Sequence, residues 1–263
     1  METQSTDTMG INWIGLNTMV RREISRMMRV PIQAFVAPWI SALLFIFIFG
    51  SVVGGNIRLI GGHRYIEFVL PGVLMMNIVN ASFLQSSSAL YFSRFLHFIE
   101  EMLVAPLSYV EMILGSLAVV VVRSTVTAIG ILVMGMAFGA TSIESWGLFL
   151  FWVVSISTVF GLMGLIIGLW AKSFEQLNVL TVFFISPLSM LGGVFNTTAM
   201  LPGWLHWLNY ANPFYYFTSG LRHAMIGYDE TPQGLGIGLT LLLLVVMSVT
   251  VWRLYARGYG LRE

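Results

Sequence analysis

Long runs without a fixed charge divide the chain. Arg29 to Arg58 encloses 28 such residues, Glu67 to Arg94 encloses 26, Glu144 to Lys172 encloses 27 and Glu230 to Arg253 encloses 22. A bilayer core is roughly 30 Å thick and needs about 20 apolar helical residues. The pattern therefore predicts spans over residues 31–50, 68–89, 146–170 and 235–252. Two more fit less cleanly: 109–138, interrupted by Arg123, and 177–195, which contains Pro187. Six spans in one transmembrane domain, residues 1–263, put both termini on one side. The polar residues 1–9 read as a disordered tail without the basic-then-apolar order of a signal peptide. The first span is then expected to act as an uncleaved signal.

Ahead of the first span, residues 10–30 read as an amphipathic helix. Trp13, Val20, Ile24 and Met27 share one face, and Arg21, Arg22, Arg26 and Arg29 point elsewhere. Two placements suit it: lying in the membrane interface with its arginines toward headgroups, or packed on protein.

Composition supports the membrane reading. Only 10% of the 263 residues are charged, against about 25% in a soluble domain. The net charge of +1 leaves no surface for nucleic acid. With no Cys there is no disulfide and no thiolate metal site. No G-x-x-x-x-G-K-[ST] loop occurs, so ATP cannot be held by that route. Lys and Arg orient the chain. With the N-terminus inside, Arg21, Arg22, Arg26, Arg29, Arg94, Lys172, Arg253, Arg257 and Arg262 face the cytoplasm, and Arg58, Arg64 and Arg222 lie outside. Nine against three favours both termini in the cytoplasm.

Three regions carry candidate chemistry. In residues 91–108, Phe95, Phe98, Ile99, Met102 and Leu103 follow a helical period, interrupted by Glu100 and Glu101 and closed by Pro106. The segment is either an ordinary loop helix or a helix that takes a push from a cytoplasmic partner. Between Glu175 and Arg222, 46 residues carry no fixed charge. Asn196, Pro202, Asn209, Asn212 and Pro213 break the middle of that stretch. Irregular backbone at membrane depth needs shielding, so an outer re-entrant hairpin follows span five. Its Trp204, Trp207, Tyr210, Tyr215 and Tyr216 suit headgroup level, as plain anchor or as gate. Third, Arg123 lies about 21 Å into its span at 1.5 Å per residue, which demands a protein or water partner. It is either structural or in contact with a substrate. The four histidines have no metal-ligand spacing, and no catalytic set is present. Gly161, Gly164 and Gly168, and Gly50 with Gly54, mark close-packed faces, within one subunit or across a dimer.

The string Ile99–Leu107, I-E-E-M-L-V-A-P-L, resembles the coupling-helix signature of type-2 ABC exporter permeases, near L-E-x-L-L-V-T-P-L. Glu100 takes the motif glutamate and Pro106 the proline; Ala105 stands where Thr is frequent. Pro187, Gly192–Phe195, Leu201–Trp204, Asn212–Tyr216 and Leu221–Arg222 are similar to the family's C-terminal signature. The resemblance implies an all-α permease of the inner membrane, working as a homodimer with two copies of a cytoplasmic ATPase that carry the ATP and Mg. It implies ATPase coupling through Phe98, Glu100, Glu101, Met102 and Pro106. The path would lie at the dimer interface between the first, second and fifth spans and suit an amphipathic or lipid-linked substrate. Apart from the resemblance, the broken stretch itself makes Pro187, Phe195, Asn196, Pro202, Trp204, Asn212, Pro213 and Tyr216 the candidate outer gate or anchor. The competing readings are a gradient-driven transporter or channel using Arg123, Glu67 or Glu111 as membrane charges, and a non-transporting scaffold.

Overall fold

The computed structural model describes residues 12–53, 59–104 and 107–260, and every regular element among them is helical. Six helical stretches are long and apolar enough to cross a bilayer: Ile32–Gly50, Tyr65–Phe95, Tyr109–Ala137, Trp146–Trp170, Phe174–Leu191 and Gln233–Ala256. The proposed tail, Arg58, Gly54 and Pro106 lie outside the described residues.

One helix clearly outruns its expected span, because charges at its ends find a use. The second span, α3 (Tyr65–Phe95), has 31 residues rather than 22, or about 46 Å. Its first turn holds Glu67, which accepts from the Arg64 backbone N–H at 3.1 Å and pairs with the Arg64 guanidinium. Its last turn holds Arg94. The third span, α5 (Tyr109–Ala137), runs unbroken through Arg123. A reciprocal cap starts it: the Ser108 N–H donates to Glu111 at 2.6 Å and the Glu111 N–H donates to Ser108 Oγ at 3.3 Å. The fourth span, α6 (Trp146–Trp170), matches the expected range.

The first and fifth spans are built differently. Each contains a π-helical stretch, Ile32–Val36 at the start of the first and Thr181–Ile185 within the fifth, that continues as an α-helix with proline in its first turn: α2 (Ala37–Phe47) with Pro38, and α8 (Ser186–Leu191) with Pro187. The proline ring has no N–H and crowds the carbonyl four residues back. The backbone widens there, and the bonds closing the two stretches run five residues back, Ala37 N–H to Ile32 and Ser186 N–H to Thr181. A short α7 (Phe174–Leu180) precedes the second of them. The fifth span ends at Leu191 rather than 195, so Phe195 and Asn196 fall in the turn beyond it.

Helices α3 and α6 form the centre. Buried residues make up 78% of the apolar stretch of α3, but only 22% of the first span, 22% of the fifth and 17% of the sixth, α11 (Gln233–Ala256). The glycine stripe explains the close approach. A Cβ on Gly164 would sit 2.7 Å from the Phe83 carbonyl, one on Gly168 2.9 Å from the Ser87 carbonyl, and one on Gly161 3.0 Å from Leu117 of α5. That face is therefore spent inside the subunit. Arg94 ties the same two helices at their far end: its guanidinium donates to the carbonyls of Gly168 and Leu169 at 2.8 Å and of Ala171 at 3.2 Å, satisfying the open C-terminus of α6.

Candidate functional site

At one end of the bundle lie α1 (Trp13–Met27) and α4 (Phe98–Val104). Asn12 caps α1 by accepting from Gly15 N–H at 2.9 Å, and its own N–H donates to the Glu111 carboxylate. Leu16 and Met19 pack on Gly115 of α5, and Met27 is buried with Ala34 and Phe35. The inward face of α1 is thus a protein contact. Trp13, assigned to that face from the sequence, points away and is 68% exposed. Arg21, Arg22 and Arg29 are exposed, and Arg26 pairs with Glu23 at 2.7 Å.

The turn from α3 into α4 passes through His97 at φ 59°, a left-handed conformation that side chains disfavour. His97 Nδ1 lies 3.2 Å from the Glu100 carboxylate, which stays largely exposed. Ile99 anchors α4 inward; Phe95, Phe98 and Val104 are exposed. The side chains of Glu101 and Met102 lie outside the described part. Beside α4 opens a cavity of about 520 Å³, half polar, with Tyr91, Arg94, His97, Glu100, Lys172 and Gly260 among its walls. Phe174 of α7 packs on Phe92 at 5.4 Å, so the fifth span begins against the same corner.

Arg123 finds a partner across the bundle in the side-chain oxygen of Gln85 on α3. One turn deeper, Ser82 and Ser124 share a 2.7 Å hydrogen bond between the same helices. Glu67 and Glu111 both serve as helix caps, so neither is a free membrane charge. The half-exposed face of α3 carries Asn77, Asn80 and Ser88. Each donates to the backbone carbonyl four residues back, leaving the amide oxygens of the two asparagines available. The charge-based reading passed over this stripe, although its polar residues three and eight positions apart on an apolar helix are visible in sequence.

At the opposite end, Gly192–Phe195 turns out of the fifth span. Phe195 stacks on Phe49 at 5.1 Å and on Phe45 at 6.1 Å, both at the end of the first span, and its carbonyl accepts from Tyr65 at 3.0 Å. Two helices follow, α9 (Gly203–Ala211) and α10 (Pro213–Ile226). Pro202 stands at the residue before α9, whose Trp204 and Trp207 are exposed. Asn212 caps α10: its side chain accepts from Phe214 N–H at 3.1 Å while donating to the Leu188 carbonyl at 2.7 Å. Pro213 fills the first helical position, and the Tyr216 hydroxyl donates to the Tyr210 carbonyl. Helix α10 runs antiparallel to α6, with Phe214 on Phe160, Gly220 against Trp152, and the Ala224 carbonyl accepting from Glu144 and Ser145. Tyr215, grouped from the sequence with the headgroup-level aromatics, is buried instead.

Behind α10 lies a buried network that sequence reasoning did not assemble. The Arg222 guanidinium pairs with Glu230 at 3.0 Å, donates to the carbonyls of Phe68 at 3.2 Å and Gly193 at 2.7 Å, and lies 3.6 Å over the Phe68 ring. The Thr198 hydroxyl sits 2.7 Å from the Tyr215 hydroxyl and 3.4 Å from Glu230, and accepts from Asn209 at 3.1 Å. Burial pushes the Glu230 carboxyl above the ordinary carboxylate range, outweighing the Arg222 charge that pulls it down. One guanidinium thus joins α10, α3, the Gly193 turn and the loop before α11.

Among the described residues no group of His, Cys, Asp or Glu is placed to hold a metal ion. What the geometry defines is a helical membrane protein with a polar, open end and a packed, aromatic one. The chain belongs to the ABC-2 type transporter family, whose model matches residues 15–226. This is a family of non-catalytic membrane permease subunits. The chain is 31% identical to the inner membrane transport permease YadH of Escherichia coli K12, across 97% of this chain and all of that protein. It is also similar to nodulation protein J of Neorhizobium galegae, 22% identical over 90% of this chain and 89% of that one. The putative transport permease ycf38 of Cyanophora paradoxa is 23% identical over 92% and 88%.

Proposed function

We propose that this permease is the membrane half of an ATP-driven exporter of the inner membrane, moving an amphipathic or lipid-linked substrate outward. Two copies pair with two copies of a cytoplasmic ATPase that holds ATP and Mg. The observation that carries this is the α4 corner. A seven-residue helix with an exposed glutamate sits between the ends of α3 and α5, beside a half-polar cavity, and Phe174 at the start of the fifth span packs on the neighbouring Phe92. A push there reaches three spans at once. In this reading Phe98, Glu100, Glu101, Met102 and Pro106 form the coupling contact, and α1 with Arg21, Arg22, Arg26 and Arg29 frames it from the membrane interface. The apolar faces of the first and fifth spans, including Ile40, Leu44, Phe47, Val182 and Phe183, pair the two copies. The Asn77–Ser88 face of α3 between those spans lines the path. Helices α9 and α10 form a re-entrant hairpin over its outer end, with Phe195 against Phe45 and Phe49 as the closure.

The gradient-driven alternative is not favoured, because two of its candidate charges, Glu67 and Glu111, are engaged as helix caps. Reconstitution separates the two readings. The purified chain alone should neither transport nor turn over ATP in liposomes, and adding its ATPase should start both. Gradient-driven flux without the ATPase would overturn the proposal. Orientation has its own test. Single cysteines replacing Glu144 and Asp229 should react with an impermeant thiol reagent on intact cells, and those replacing Ser108 and Arg257 should not. Labelling at 257 would reverse the topology and remove α4 from the cytoplasm.

A further inference from the structure

A cavity of about 350 Å³ opens between the fifth and sixth spans. Its back wall is Phe83 of α3 and Phe160 and Met163 of α6; its sides are Phe184 of the fifth span and Leu243 and Met247 of α11. Pro213 and Phe214, the first residues of α10, close it on the hairpin side. Almost no polar surface reaches it. Ligand pockets begin at about 300 Å³, and an engineered apolar cavity of about 150 Å³ already binds benzene. Packed protein interiors do not leave a space of this size empty.

We infer that this cavity holds one acyl chain of a bilayer phospholipid, which enters between the fifth and sixth spans and props the base of α10. The occupant follows from where the cavity opens. Its sixth-span wall, Leu243 and Met247, lies on a helix whose neighbouring Leu242, Val245 and Val249 are exposed apolar surface, on the side away from the faces assigned to pairing. In a membrane the abundant, flexible, wholly apolar group at that mouth is a lipid tail. The tail lies near the middle of α6, so a chain carbon well below the headgroup must fill it. The contact matters because Asn212, which caps α10, is held by the Leu188 carbonyl, and Leu188 and Pro213 both border the cavity. Filling the space fixes the turn on which α9 and α10 pivot.

The inference rests only on residence in a membrane, not on the exporter reading. The test uses the full chain in vesicles of phosphatidylethanolamine and phosphatidylglycerol, with a fraction of phospholipid carrying a mid-chain diazirine. After illumination, mass spectrometry should find adducts on Phe160 and Phe217, which are buried and reachable only through the cavity, as well as on exposed Val245 and Val249. Two independent filling variants, Leu243→Trp and Met163→Trp, should lose the Phe160 and Phe217 adducts and keep those on Val249. Wild-type vesicles labelled on Val245 and Val249 but not on Phe160 or Phe217 would overturn the site. So would adducts on Phe160 and Phe217 that persist in both filled variants. A Phe184→Cys variant that forms a disulfide-linked dimer in the same vesicles, with Phe160 unlabelled, would assign the mouth to a second copy of the chain and end the proposal.

Discussion

The two ends of this bundle solve opposite problems. At the hairpin end, one buried arginine satisfies a carboxylate and two carbonyls and lies on an aromatic ring, and α10 is packed into α6 so tightly that Gly220 has no room for a methyl group. At the α4 end, a short helix hangs from a strained His97 and shows phenylalanine, valine and glutamate to its surroundings. The first end is knit together by buried contacts within the chain. The second leaves its apolar and acidic side chains exposed. A packed end thus stands opposite an exposed one, the latter being where the proposed ATPase would bind.

That contrast can be broken by mutation, and the largest effect should come from the hairpin end. Arg222→Met leaves Glu230 buried without its partner and should cost about 3–5 kcal/mol, read as a fall in melting temperature in detergent. The double variant Arg222→Met/Glu230→Met should recover most of the loss. A single-variant cost within about 1 kcal/mol would mean the pair behaves as a surface pair. Next, Gly220→Ala forces a Cβ to 2.1 Å from the Trp152 ring. Overpacking of this kind costs about 1–3 kcal/mol. Gly147→Ala, on the same helix as Trp152 but with open space around it, is the control and should be neutral or slightly stabilising.

The α4 end should answer with smaller stability changes and larger functional ones. His97→Gly relieves a left-handed side-chain conformation and should stabilise by at most about 1 kcal/mol. It also removes the contact to Glu100, so coupling should weaken while the fold tightens. Smallest of all, Glu100→Lys with Glu101→Lys should shift folding stability by no more than about 0.5 kcal/mol. An interface that buries these groups against a charged partner would lose about 2–5 kcal/mol, and ATP-dependent transport with it. Normal transport by that double variant would make α4 an ordinary loop helix and erase the comparison.

Much of this was legible in the residue pattern. Charge-free runs located four of the six spans and the remaining apolar stretches the other two; the fourth span agrees to the residue, because both its ends coincide with loss of hydrophobicity. The runs clipped α3 because they treat every charge as a boundary, whereas Glu67 and Arg94 are inside the helix and engaged at its ends. Arg123 looked like an interruption for the same reason, yet the helix runs through it and a glutamine on a neighbouring span gives its guanidinium a hydrogen-bond partner. The Arg222–Glu230 pair stayed hidden because the chain reverses at Gly227, in a left-handed conformation at φ 69°. Two residues that bracket a loop in sequence thereby face each other. A buried-site signal was nonetheless present: the first charge after 46 uncharged residues, followed eight positions later by an opposite one. The inward turn of Tyr215 had no such marker, since Tyr216 beside it has the same composition and faces outward.

The paired prolines of the first and fifth spans have a mechanical consequence. Each π stretch stores one residue more than the α-helical count requires. Releasing it to an α turn would slip the hydrogen-bond ladder by one residue and turn everything beyond it by about 100°, one residue's share of a 3.6-residue turn. The halves before Ile32 and Thr181 would not have to move. The first stretch lies at the start of its span, Ile32–Val36, and the second in the middle of its own, Thr181–Ile185 within Phe174–Leu191. Two helices that otherwise look like the plainest apolar cylinders in the chain thus each carry a built-in swivel, and rotating both would present a different side of each to whatever lies between them.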